Sequence, residues 1–277
     1  MKQKFIKALK YILSTLAIFA LCWLVDMFWG NPVSYLLATR TAQSHLITTY
    51  PGSDFYIEHI GYNFKFQDYY VKINSPSSID THFSLSITKG GKLLLDTYDS
   101  GVLKGFNTAN RLNDEYRALV ARVFSNLSLP CDYHTNYSRL EFYLEDELQH
   151  RTISLYDIPP YAINQGELVL DKPYDIPELG RRAGHLIISV DSETVNTDQA
   201  ANIMLNIKAH FDKAGLPFAA MTFDLQYPKP HNGLRPEGEV CVAQFIYEDI
   251  YEDGMVERVA QADKELKEHY AKLDAIG

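Results

Sequence analysis

The side chains that could do chemistry together lie first at Ser75-Pro-Ser-Ser-Ile-Asp-Thr-His82, where serines, an aspartate and a histidine crowd into eight residues. A hydrolytic triad needs those groups converging in space, with the serine on a sharp elbow beside an oxyanion hole. Here they share one turn and one strand start, without a GxSxG pattern. The favoured reading is a turn whose Ser and Asp side chains bond nearby backbone groups.

Acidic side chains give no stronger signal. Asp249, Glu252, Asp253 and Gly254 lack the repeated DxDxDG spacing of a calcium loop. Asp191 and Glu193 flank a helix start, where negative charge interacts favourably with the helix dipole. There is no HExxH, and the nine histidines are scattered. Three cysteines show no zinc spacing. Cys131 and Cys241 either pair, closing a long loop, or are separate buried thiols that pack as small hydrophobes. No catalytic residue, cofactor or metal is expected. Nineteen tyrosines, among them Tyr62, Tyr69, Tyr70, Tyr143 and Tyr247, suit sheet packing and leave open a tyrosine-lined groove for a peptide or glycan.

The elements that carry these side chains can be read from periodicity. Val33 to Tyr50 has helical spacing and ends at Pro51-Gly52. Strand patterning follows. Tyr56, Ile60, Tyr62 and Phe64 share one parity, with Glu58 the exception, and Phe83, Leu85 and Ile87 alternate with small polar residues. Lys89-Gly-Gly-Lys92 signals a hairpin whose return runs from Leu93 to Tyr98. Leu112 to Leu127 forms one helical stripe. Arg139 to Leu155 reads as a strand, and 156–174 as irregular chain around a short strand at Glu167–Leu170. From His185 onward the order is β-α-β-β-α, with Asn196 capping the first helix and Gly215 ending it. That element order is the one found in ferredoxin-like folds. The fold class is α+β, with helices covering antiparallel sheets. The expected division is an anchor over residues 1–30, a helix-plus-four-strand module over 31–105, and an α+β module over 106–277 with an internal boundary near 156–184.

Composition bounds the function class. The chain has 277 residues, 46% of them hydrophobic and 22% charged, which is globular rather than disordered. Its net charge of −9 argues against a nucleic-acid partner. Four lysines (Lys2, Lys4, Lys7, Lys10) precede an apolar run from Tyr11 to Trp29, interrupted by Asp26 alone. Beyond residue 30 the body carries a net −12. Nineteen helical residues rise roughly 28 Å, close to the thickness of a bilayer core. Lysines on one side and Trp23 and Trp29 toward the other orient the segment with its N-terminus in the cytoplasm. A cleaved signal peptide would share the basic start. Here the small residues Ala17 and Ala20 lie inside the run and its end is bulky, which favours an uncleaved anchor. Leu21 before Cys22 breaks the lipoprotein pattern. The expectation is a single-pass protein, bound to the lipid bilayer through residues 11–29, with an extracytoplasmic body.

Gly30-Asn-Pro-Val33, Tyr50-Pro-Gly52, Gly61-Tyr-Asn-Phe64, Ser75-Pro-Ser-Ser-Ile-Asp80 and Asn107-Thr-Ala-Asn-Arg111 together resemble the YfjL-like proteins of Gram-positive bacteria. The resemblance is carried by residues 1 to about 125. It implies a bacterial protein with one anchor and an outer domain, and it assigns no catalytic residue. The function expected is a non-enzymatic binding or regulatory module at the cell envelope, its partner an envelope protein or cell-wall ligand. An envelope hydrolase with an unrecognised site, and a structural tether, are the alternatives.

Overall fold

A computed structural model describes residues 2–127, 132–149, 158–231 and 233–274. The fold is α+β, and the chain divides into two compact units, Met1–Asn107 and Thr108–Gly277.

In the first unit α1 (Lys2–Trp29) is a helix, exposed from Lys10 to Val25 and long and apolar enough by composition to cross a membrane. It ends where expected. Gly30 takes a left-handed φ of 72°, Asn31 caps α2 (Pro32–Thr49), and Pro32 stands at its first turn, where a missing N–H costs nothing. A side chain at residue 30 would collide with the Tyr69 hydroxyl.

Helix α2 buries Ser34, Ala38, Ala42 and Leu46, one residue every four, so a narrow stripe of mostly small side chains faces the sheet. That sheet is the antiparallel meander β1 (Tyr56–Asn63), β2 (Asp68–Ser75), β3 (Ser78–Thr88) and β4 (Leu93–Asp96). Tyr69, Val71 and Ile73 meet Phe83, Leu85 and Ile87 under α2. Full burial of each aliphatic side chain contributes roughly 1.5–3 kcal/mol. A bulge between Ile57 and His59 explains why Glu58 broke the alternation: Ile57 and Ile60 both pack on the core, and Glu58 turns outward to Lys72 at 2.7 Å.

The second unit holds most of α3 (Phe106–Ser125), then β5 (Asp132–Leu140), β6 (Phe142–Tyr143), α4 (Glu145–Gln149), β7 (Ile163–Asn164), α5 (Ile176–Ala183), β8 (Gly184–Asp191), α6 (Thr197–Ala214), β9 (Ala220–Gln226), β10 (Glu239–Ile246) and α7 (Met255–Asp274). Its main sheet has the order β10-β9-β8-β5, and β6 and β7 form a small parallel pair.

The β-α-β-β-α element order is present. The pairing is not the split one of ferredoxin-like folds, because β8 and β9 are direct parallel neighbours joined by α6, with β10 and β5 antiparallel at the edges. Two local expectations are corrected. The strand read from Arg139 to Leu155 breaks after Leu140: Phe142–Tyr143 is a separate short strand and 145–149 is helical. Residues 150–157, which that reading also covered, lie outside the described set. The strand expected at Glu167–Leu170 is absent, since Gln165–Glu167 forms a 3₁₀ turn and the short strand is Ile163–Asn164. Helix α5 went unread because eight residues give little periodicity, although Asp175 caps it and Pro177 opens it. Cys131 is not among the described residues, so the pairing of Cys131 with Cys241 falls outside them.

Candidate functional site

The two faces of the second sheet differ in chemistry. Alternation along β8 and β9 sends Leu186, Ile188, Val190, Met221, Phe223 and Leu225 into the core. The opposite positions, His185, Ile187, Thr222, Asp224 and Gln226, line a groove of about 470 Å³. The two ends of α7 serve the two faces: Met255 and Val259 belong to the core, whereas Leu266, Lys267 and Tyr270 wall the groove beside the edge strand β10. The edge is capped by side chains. Asp263 accepts the Cys241 N–H at 2.9 Å, and Lys267 donates to the Glu239 carbonyl at 3.0 Å.

At one end of the groove sits a polar chain. Glu141 and His185 are 1% and 4% exposed. His185 Nδ1 lies 2.6 Å from Glu141 Oε1, and its Nε2 lies 2.9 Å from Thr222 Oγ1. Arg139 Nε donates to Glu141 Oε1 at 2.7 Å, and the Tyr143 hydroxyl donates to Oε2 at 3.0 Å. Thr222 Oγ1 also accepts the backbone N–H of Gln244 at 3.1 Å. Gln244 holds a left-handed φ of 48° within a β10 bulge between Val242 and Phe245. The bulge is what aims that N–H across the strand at Thr222.

Burial alone would raise the Glu141 carboxyl. The hydrogen bond from His185 and the Arg139 charge outweigh it and hold the carboxyl below its ordinary range. Burial, with the charge of Glu141 adding to it, pushes the Tyr143 phenol up to about 12. Burial and the neighbouring Asp224 push the Cys241 thiol up as well, which makes it a poor nucleophile. A second cavity of equal volume lies at the ends of α3 and α6, among Leu119, Val123, Pro177 and Leu216, with Arg122 and Lys213 beside them. Among the described residues it gathers no carboxylate, whereas the groove brings together polar groups of both signs.

Of the residues singled out at 75–82, Ser75, Ser78, Thr81 and His82 line a pocket of about 330 Å³ beside Tyr56 and Lys72. Ser75 donates to Asp54, which also accepts the Ser77 N–H, and Ser78 donates to Thr81. Asp80 is buried and His82 is exposed. Asn107 clamps the carbonyls of both, at 2.9 and 2.6 Å. The segment is therefore a turn fastened by side chains. The loop at 249–254 is organised by Arg258, which donates to the carbonyls of Asp249, Tyr251 and Asp253. Asp191 faces Arg235 at 3.4 Å. Among the described residues no cluster of three His, Cys, Asp or Glu side chains has metal-binding geometry. Tyr270 is the one tyrosine among the described lining residues, so the groove is not tyrosine-lined. Sequence reading missed Glu141 and His185. Their signal was a single charged or titratable residue beside apolar runs, at Leu140-Glu-Phe142 and His185-Leu-Ile-Ile188.

A model of the YfjL-like N-terminal domain matches residues 4–97, and one of the YfjL-like C-terminal domain matches residues 115–260. No curated protein matches the chain. A crystal structure of a DUF5037 family protein from Ruminococcus gnavus ATCC 29149 is similar over 68% of this chain and 73% of that one, at 12% identity. Its TM-score of 0.20 is too low to bear on fold or function.

Proposed function

Because the chain belongs to the YfjL-like family, we propose that it is a membrane-tethered, extracytoplasmic binding or regulatory module of the bacterial cell envelope. Lys2, Lys4, Lys7 and Lys10 hold the N-terminus in the cytoplasm, residues 11–29 span the bilayer, and the acidic body is translocated. In this reading residues 1–30 are tip and anchor, 31–105 a first module, and 106–277 a second. The ligand surface is the groove beside β10, and the ligand is an envelope protein or a cell-wall component.

The observation that supports it is the groove itself: a concave sheet face walled by α7 and lined by Arg139, Asp224, Glu239 and Lys267. Charges of both signs around a concave floor suit an extended ligand with alternating polar groups. The test is retention of envelope proteins or cell-wall fragments by the full chain in detergent, compared with Ala243→Arg and Tyr270→Ala. A ligand retained equally by all three chains, or by none, defeats the reading.

One observation favours the hydrolase alternative. Thr222, His185 and Glu141 stand in the order of a hydroxyl nucleophile, its base and the carboxylate that orients the base. Hydrolysis of an envelope ester or amide that is lost in Thr222→Val would select it.

A further inference from the structure

We infer that the hairpin tip Phe64-Lys65-Phe66 of the first unit is a second membrane contact, inserted into the bilayer interface beside the outer end of α1. The inference rests on the reading of α1 as a membrane anchor.

Strands β1 and β3 run in the same direction, because each pairs antiparallel with β2. Their turns, 64–67 and 89–92, therefore lie at one end of the sheet. The end of α1 meets both. The Phe28 and Phe64 rings are 5.9 Å apart, the Tyr62 hydroxyl donates to the Met27 carbonyl at 3.3 Å, and Lys89 Nζ lies 2.9 Å from Asp26.

A hairpin tip normally carries small and polar residues. This one carries Phe64 and Phe66, 58% and 69% exposed, with Lys65 over the Phe66 ring at 5.5 Å. Trp29, at the same level of α1, is 73% exposed. Exposed aromatics that continue from an apolar helix, with a lysine among them, are the composition of the interfacial belt. Charge agrees. The two turns bring Lys65, Lys89 and Lys92 to this end, and Asp26 is paired with Lys89. With Asp68 opposite Asn63 beside the first turn, this end keeps an excess of one positive charge, although the body beyond residue 30 carries a net −12. Anionic headgroups attract such an end and repel the rest. The first unit then stands on its hairpin tip rather than pivoting freely on one helix.

The test uses the full chain in phosphatidylcholine vesicles with bromine near the top of the acyl chains, and three single-tryptophan forms. One keeps Trp23 (Trp29→Phe), one keeps Trp29 (Trp23→Phe), and one carries Phe66→Trp with Trp23→Phe and Trp29→Phe. The expected result is that the tryptophan placed by Phe66→Trp loses as much emission to bromine as Trp29 does. Quenching of Trp23 without quenching at position 66 overturns the inference and leaves the anchor standing. No quenching in any form removes the anchor reading and the inference with it. Position 66 is exposed, so the substitution leaves folding intact, and an unchanged melting temperature verifies that.

Discussion

Lys89, at the tip of the β3–β4 hairpin, holds the one acid of the apolar segment: its Nζ lies 2.9 Å from the Asp26 carboxylate and 3.0 Å from the Asp26 carbonyl. Asn31 adds a bond to the same carboxylate at 2.6 Å. Asp26 thus ties the end of α1 to a turn 63 residues away. Lys89→Ala should raise hydrogen exchange across residues 27–31 several-fold while the centre of β2 stays protected. Unchanged exchange there would show that the pair does not hold the helix end.

Glu141 gives a pH-dependent prediction. Its carboxyl is held below the ordinary range, so its contribution is complete above about pH 5 and fades as pH falls through the lowered value. Glu141→Gln should lose about 3 kcal/mol at neutral pH, because His185 and Arg139 keep their positions without the charge they face. The difference from the parent should hold down to about pH 5 and shrink below it in denaturant titrations. A constant difference would mean that shape, not charge, is what Glu141 supplies.

Tyr116 is fully buried, and its hydroxyl has no hydrogen-bond partner among the described residues. Tyr116→Phe should therefore be neutral or stabilise by up to about 1 kcal/mol. Gly184 is its neighbour: an added Cβ there would run into the Tyr116 hydroxyl and the Gly180 carbonyl. Gly184→Ala should cost about 1–3 kcal/mol, and Tyr116→Phe in the same chain should recover part of it. Thermal melts of the four chains decide whether the two changes couple.

Asp96 organises the first unit's polar centre. It accepts from the Tyr50 hydroxyl at 2.7 Å and from the Tyr98 N–H at 2.8 Å, and it faces His45 at 2.6 Å. Asp96→Ala should lower stability by about 2 kcal/mol, since three donors lose one acceptor. Asp96→Asn should retain more than half of that, as chemical denaturation will show.

The YfjL-like resemblance rested on short loop signatures such as Gly30-Asn-Pro-Val33 and Tyr50-Pro-Gly52, and the matches over 4–97 and 115–260 extend it to both units. Loops of this kind are legible because each residue type answers a local need: a left-handed glycine, an Asn cap, a Pro at the first helical turn.

Local sequence alone determined the α+β class, the apolar N-terminal helix and its stop at Asn31, and the alternating β3, since each depends on neighbours within a few residues. It failed where a bulge shifted parity at Glu58 and where eight residues made a helix at 176–183. The strand pairing of β8 with β9, the meeting of Glu141 with His185 across 44 positions, and the approach of Lys89 to Asp26 were decided only by the tertiary structure. Such contacts depend on how sheets register and helices dock. A charged residue alone among apolar neighbours announces that it needs a partner, but it does not say which one.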